Sequence, residues 1–163
     1  MGIGPFFPLI GKYIGKSIKK ELYAIEDTYK KDIEAVSDYI FKNPELGEKE
    51  FLSSKYLIDL LKKNNFSVEE NYCGLPTAFR AEYGDNNGPS IAFLAEYDAL
   101  PGYGPDKVPG HACGHNWIAA GTYGAALVLS KFKNNFKGKI ILIGTPAEET
   151  LGGKVNMVEQ NAF

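Results

Sequence analysis

At Asn64 and Asn65 the spacing of apolar residues changes, and that change restricts this chain to a fold combining helices with a sheet. Before it, Ile18, Leu22, Ile25, Tyr29, Ile33, Val36 and Ile40 recur at intervals of three and four, the stripe of an amphipathic helix. That helix is expected to start at Ser17 and to end at Asn43-Pro44, since proline disfavours helical backbone in the residue before it. A second helix is expected over residues 48–63, with Phe51, Leu57, Leu60 and Leu61 inward. Beyond it the period is two, and "FSVEEN", "TAFRAEYG" and "SIAFLAEYD" read as strands. The third is nearly continuous in apolar residues, which predicts a central place in the sheet. The turn-rich "YGDNNGPS" between the second and third predicts a hairpin. After the Gly/Pro-rich loop "DALPGYGPDKVPG" come a helix over residues 116–132, a buried strand "KIILIG" and a short helix after Gly152-Gly153. The expected fold class is α/β, a layered mixed sheet flanked by helices.

Composition narrows the function. A length of 163 residues, 44% hydrophobic and 23% charged, suits one globular body with a real core. Residues 1–16 are expected to be a frayed leader and residues 17–163 one domain. With 18 Lys+Arg against 20 Asp+Glu, nucleic acid is not the expected partner. No stretch reaches the ~18–20 apolar residues of a membrane span. The amino-terminal stretch "MGIGPFFPLIGKYIGKSIKK" carries four lysines and no acid. Its basic residues follow the apolar run and no small-residue cleavage site is evident, unlike a secretory signal. Phe6 stands where a myristoylation pattern wants Ser or Thr. Weak contact with a membrane surface is the lesser reading of this segment. Cys73 and Cys113, without an export signal, are expected to be reduced thiols in a cytoplasmic protein.

Three features carry chemistry at places where α/β sheets bind ligands, beyond the carboxyl ends of strands. Asp98 follows "SIAFLAEY", Glu148 and Glu149 follow "KIILIG", and His111, Cys113 and His115 sit in "GHACGHN". If the two strands are neighbours, these groups share one crevice. Cys113 and His115 are two apart, and a thiolate and an imidazole are good zinc ligands. A bare C-x-H is explained as well by a small buried thiol and by histidines satisfied within a loop. A glutamate pair is often only a solvated pair. Here it follows a buried strand, and in extended backbone its two side chains point opposite ways. One can then bind metal while the other acts as general base toward water. Asp98 would orient a ligand, unless it is an ordinary turn aspartate. Asn116 and Trp117 fit a pocket wall, a helix cap or the core equally well.

The segments "NPELGEKE", "LPTAFRAEYG", "FLAEYDALPG", "GHACGHN" and "GTPAEETLGGK" together resemble the metal-dependent amidohydrolase and aminoacylase/carboxypeptidase family of zinc metallopeptidase type. The branch it looks like is the one that holds proteins of the aminobenzoyl-glutamate hydrolase and β-alanyl-lysine dipeptidase type. The resemblance implies that Cys113, His115 and Glu149 are metal ligands, with Cys113 bridging two ions, that Glu148 is the catalytic base, and that Asp98 belongs to the catalytic set. His111 matches a motif position that the resemblance does not identify as a ligand. It implies hydrolysis of an amide bond in a dipeptide or N-acyl amino acid by metal-activated water, with two zinc, manganese or similar ions. Family members supply two further histidine ligands and a smaller inserted domain from a carboxyl-terminal half. This sequence has no histidine after Glu149, so it resembles the amino-terminal portion of such a catalytic domain. The alternative expectation is a catalytically silent metal-binding or partner-binding remnant. An open sheet of this kind is also expected to expose an edge and an apolar face through which chains associate.

Overall fold

The computed structural model describes residues 16–132, 137–150 and 152–163. The leader expected over residues 1–16 therefore lies outside the described residues, apart from Lys16. Helix α1 (Lys16–Lys42) follows the predicted stripe. Val36 and Ile40 are fully buried, and Tyr29 and Ile33 pack against the same core. Asn43 closes the helix with both its main-chain N–H and its side-chain amide on Tyr39 O (3.1 and 2.8 Å).

Helix α2 (Phe51–Lys63) starts three residues later than expected. Glu48 has φ +66°, a left-handed conformation that no helix can run through. The first turn is capped from outside: the Glu45 carboxylate accepts the N–H groups of Leu52 and Ser53, both at 2.9 Å. Phe51, expected inward, opens the helix and is 57% exposed. The inward face of that turn belongs instead to the small Ser53 and Ser54, followed by Leu57 and Leu61.

The sheet has the order β1 (Ser67–Glu70), β2 (Phe79–Gly84), β4 (Lys139–Gly144), β3 (Ser90–Ala95). β1 and β2, and β2 and β4, pair antiparallel, whereas β4 and β3 run parallel. The predicted β2–β3 hairpin is absent because β4 lies between them. At the ends of the connecting turn, Asp85 N–H donates to Gly138 O and Pro89 O accepts from Lys139 N–H, both at 3.0 Å. The turn thus reaches across the start of β4 instead of folding back on itself. Gly138 (φ +119°) makes the crossing feasible, since a Cβ there would overlap Pro89 O. The centre expected for β3 falls to β4. β3 is an edge strand among the described residues, with Ile91 and Leu94 47% and 38% exposed.

Phe79, Ala81, Ala95, Ile140 and Leu142 face the main core with α1, α2 and helix α3 (His115–Lys131). Ile141 and Ile143 face the other way, onto Met157 of α4 (Gly153–Glu159). The sheet is therefore flanked on both faces, as predicted. Gly124 of α3 admits Ile33 of α1, whose Cδ1 would lie 3.0 Å from an added Cβ. Among the described residues no helix is long and apolar enough to cross a membrane.

The exit of β4 is tightly packed. A Cβ on Gly144 would overlap the Phe79 ring and stand 2.6 Å from Tyr97 Oη. Gly144→Ala is expected to cost about 1–3 kcal/mol through overpacking, measured as a lower denaturant midpoint with an unchanged slope.

Candidate metal centre

The parallel register of β3 and β4 ends with Ala95 opposite Gly144, and Thr145 N–H donates to Ala95 O at 2.8 Å to extend it. Beyond this point "EYD" and "TPAEE" leave the sheet side by side. His115 is the first residue of α3, delivered by Gly114 at φ +78°. A side chain at that left-handed position would be strained. The condition set by the sequence is met: the two strands are neighbours, and Asp98, His115, Glu148 and Glu149 share their carboxyl edge.

Asp98 is 1% exposed and His115 4%. His115 Nδ1–H donates to Asp98 Oδ1 at 2.9 Å and to Asp98 O at 3.0 Å. Asp98 Oδ2 accepts Glu149 N–H at 2.8 Å. Burial alone would raise the Asp98 carboxyl, but the bonds from His115 and Glu149 N–H outweigh it and lower its pKa. The same bond to Asp98 raises the pKa of His115. With Nδ1 engaged, Nε2 is the ring atom free to act as a ligand. It faces Glu96 Oε2 at 3.4 Å, Glu149 Oε1 at 3.7 Å and Glu148 Oε2 at 3.9 Å.

Ligand atoms of His115, Glu148 and Glu149 all lie within 4.8 Å of one another. The expectation that the two glutamates point opposite ways is not met. Residues 148–150 form a turn instead of extended chain, so both carboxylates swing toward the same imidazole. They still differ in setting: the Glu148 side chain is 40% exposed and that of Glu149 15%. Cys113 borders the cluster from its exposed side. A hydrogen bond to the Glu149 carboxylate, ahead of burial, raises its thiol pKa. His111 is held by Nε2–H on Ile40 O at 3.1 Å, and its Nδ1 is buried without a hydrogen-bond partner among the described residues. Asn116 is buried and donates to Ser37 Oγ at 2.8 Å, tying α3 to α1. It belongs to the core, whereas Trp117 is 69% exposed.

Glu96 is a member of the site that the sequence reading does not single out. Its signal is present, because a residue two before Asp98 on extended chain shares its side. Lys154 at the start of α4 forms an ion pair with it.

Comparison with known proteins accounts for this arrangement. Residues 92–163, which hold every side chain of the cluster, match the pattern of peptidase family M20/M25/M40. Over that stretch the chain is similar to members of this family. Outside it the likeness continues. The chain is 34% identical over 141 residues to a subunit of the p-aminobenzoyl-glutamate hydrolase of Escherichia coli, covering 78% of this chain and 29% of that protein. It is 39% identical over 143 residues to the Xaa-Arg dipeptidase of Mus musculus, covering 79% and 32%. Among solved structures it resembles a dinuclear metal-binding M20 peptidase of Bacillus subtilis, with TM-score 0.73 and 27% identity over 83% of this chain and 40% of that one. The chain thus spans about a third of the length of the curated relatives it matches.

The matched segment carries a donor set that fits a divalent cation. Glu149 Oε1 is buried without a hydrogen-bond partner among the described residues and is turned toward His115. A buried, unpartnered carboxylate oxygen is costly unless a cation meets it. Imidazole with carboxylates, and a thiol alongside, suits zinc and manganese alike. Asp98 ties the two arms of the segment together, so Asp98→Ala is expected to destabilise the metal-free chain by about 1–3 kcal/mol. It leaves the Glu149 N–H without an acceptor and the His115 ring with only the carbonyl of residue 98, which a denaturant melt reads directly.

Proposed function

We propose that this chain forms the metal-binding part of an amide hydrolase acting on dipeptides or N-acyl amino acids, with Cys113, His115 and Glu149 as metal ligands. The observation that carries this reading is His115 Nε2, left free by the Asp98 bond at Nδ1, facing the unpartnered Glu149 Oε1. The matched family is one of peptidases. The names of the two relatives describe hydrolysis of a p-aminobenzoyl-glutamate and of Xaa-Arg dipeptides, and the substrate class proposed here is drawn from them. Two ions, zinc or manganese, are proposed because the Bacillus subtilis neighbour is dinuclear, and Cys113 at the open side would be among the residues that hold them.

Divalent ions at such a centre lower the pKa of water and polarise an amide carbonyl. Glu148, the more exposed of the two glutamates, takes the proton of the attacking water and returns it to the leaving amine. Asp98 holds the His115 ring in the tautomer that presents Nε2, and through Glu149 N–H it also fixes the backbone beside Glu148. The cytoplasm, where both free thiols stay reduced, is the proposed setting.

Metal binding without turnover is the second reading. The chain has two histidines, and of these His115 is the one whose free ring nitrogen faces the glutamate carboxylates. An amide-hydrolysis assay on the zinc- and manganese-loaded chain separates the readings. Cys113→Ser, His115→Ala and Glu149→Ala are each expected to weaken zinc binding on the order of tenfold or more. Glu148→Ala is expected to leave it nearly unchanged and to lower any hydrolysis by about 10²–10⁴-fold. Isothermal titration measures the first and product release the second. Zinc binding that survives loss of both His115 and Glu149 would sink the assignment.

A further inference from the structure

The segment "NPELGEKE" contributes nothing to the cluster itself, yet it touches both chain arms that carry the cluster. Ala99 N–H donates to Glu45 O at 2.8 Å, and Leu46 and Ala99 form a parallel bridge, which anchors the arm bearing Asp98. The other arm is held by Glu50. This glutamate sits at the N-cap position of α2 but makes no side-chain cap bond, because Glu45 already serves the first turn. Its carboxylate is fully buried and turns the other way. Oε1 accepts Ala147 N–H at 2.7 Å, and Oε2 accepts the Thr77 hydroxyl at 2.8 Å. Thr77 O in turn accepts the Tyr97 hydroxyl at 2.6 Å, so the same group reaches the strand end before Asp98.

Ala147 is the residue that bends the chain into Glu148. It has φ +59°, an unfavourable conformation for a side-chain-bearing residue. Its carbonyl accepts Gly152 N–H and Gly153 N–H at 2.9 and 3.2 Å, so it is pinned from both sides. Gly47 packs against this bend. A Cβ there would overlap Thr150 Oγ1 and stand 3.0 Å from Ala147 Cα.

We infer that Glu50 is a positioning residue of the metal centre, its carboxylate holding Ala147 in a left-handed bend that aims Glu148 and Glu149 at His115 Nε2. The inference rests on the metal-centre reading above and adds to it a residue far away in sequence that touches no ligand atom. Burial of a carboxylate is costly unless its oxygens are bonded, and here the bonds go to the bend and to Thr77 instead of to the helix that carries it.

The test is zinc affinity of the 163-residue chain, by competition with a chromogenic chelator, at a temperature where circular dichroism shows each variant folded. Glu50→Ala is expected to bind zinc on the order of 10- to 100-fold more weakly than the parent. Glu50→Gln, whose amide oxygen still accepts Ala147 N–H, is expected to stay within about threefold of the parent. Leu57→Ala, a core truncation in the same helix, is expected to lower the melting temperature without changing the affinity of the folded protein. The proposal is overturned if Glu50→Ala binds zinc as the parent does, or if Leu57→Ala weakens zinc as much as Glu50→Ala. Should Glu50→Ala not fold, Gly47→Ala decides: weaker zinc binding supports the proposal, and unchanged affinity overturns it. A parent chain that binds no zinc overturns the metal centre and this proposal together, whereas a zinc-binding parent with an unaffected Glu50→Ala overturns this proposal alone.

Discussion

The parallel pairing of β3 with β4 is the constraint on which the remaining geometry depends. With Ala95 opposite Gly144, the segments beyond them leave the sheet at one level, and Asp98 comes within 2.8 Å of Glu149 N–H. A slip of one residue would send Glu96 and Asp98 to the other side of the chain. Both ends of the pair resist that slip. At the start, Gly138 admits Pro89 O at a distance no side chain would allow, and at the exit Gly144 is wedged under Phe79 and Tyr97. Backbone contacts of this closeness tolerate no alternative register.

Electrostatics then concentrates at the opening so created. One imidazole, its far nitrogen bonded to a fully buried aspartate, faces three carboxylates, of which only Glu96 has a lysine partner among the described residues. Such a collection of negative charge at the edge of an apolar core is unfavourable without a cation. Around it, labour is divided among acids that look alike in sequence. Glu45 caps α2, Glu50 grips the Ala147 bend, Glu96 pairs with Lys154, and Glu148 and Glu149 face His115. The backbone beneath each acid, not its residue type, sets its role.

Much of the architecture is legible in local pattern. The stripe from Ile18 to Ile40 predicts α1 to within a residue at its start, because a helix shows its period wherever one side is buried. The run "KIILIG" coincides with β4, and the residues after it and after "SIAFLAEY" are the ones that meet at the site. Local pattern also misleads. The apolarity of "SIAFLAEYD" suggests a central strand, yet β3 lies at an edge among the described residues. The turn at residues 83–90 has hairpin residues but spans another strand, since its ends bond to residues at the start of that strand. Glu148 and Glu149 read as extended chain, and Ala147 at φ +59° turns them the same way instead.

The sequence alone determined most of the elements, the α/β class and the candidate donor residues, since hydrophobic period and ligand chemistry are properties of short stretches. Only the tertiary structure decided that β4 enters between β2 and β3, that Glu96 joins the site, that Asn116 serves the core, and that Glu50 reaches across to Ala147. Each of those outcomes rests on contacts between residues distant along the chain, where close backbone approach and the burial of polar groups choose among arrangements that local pattern leaves equal.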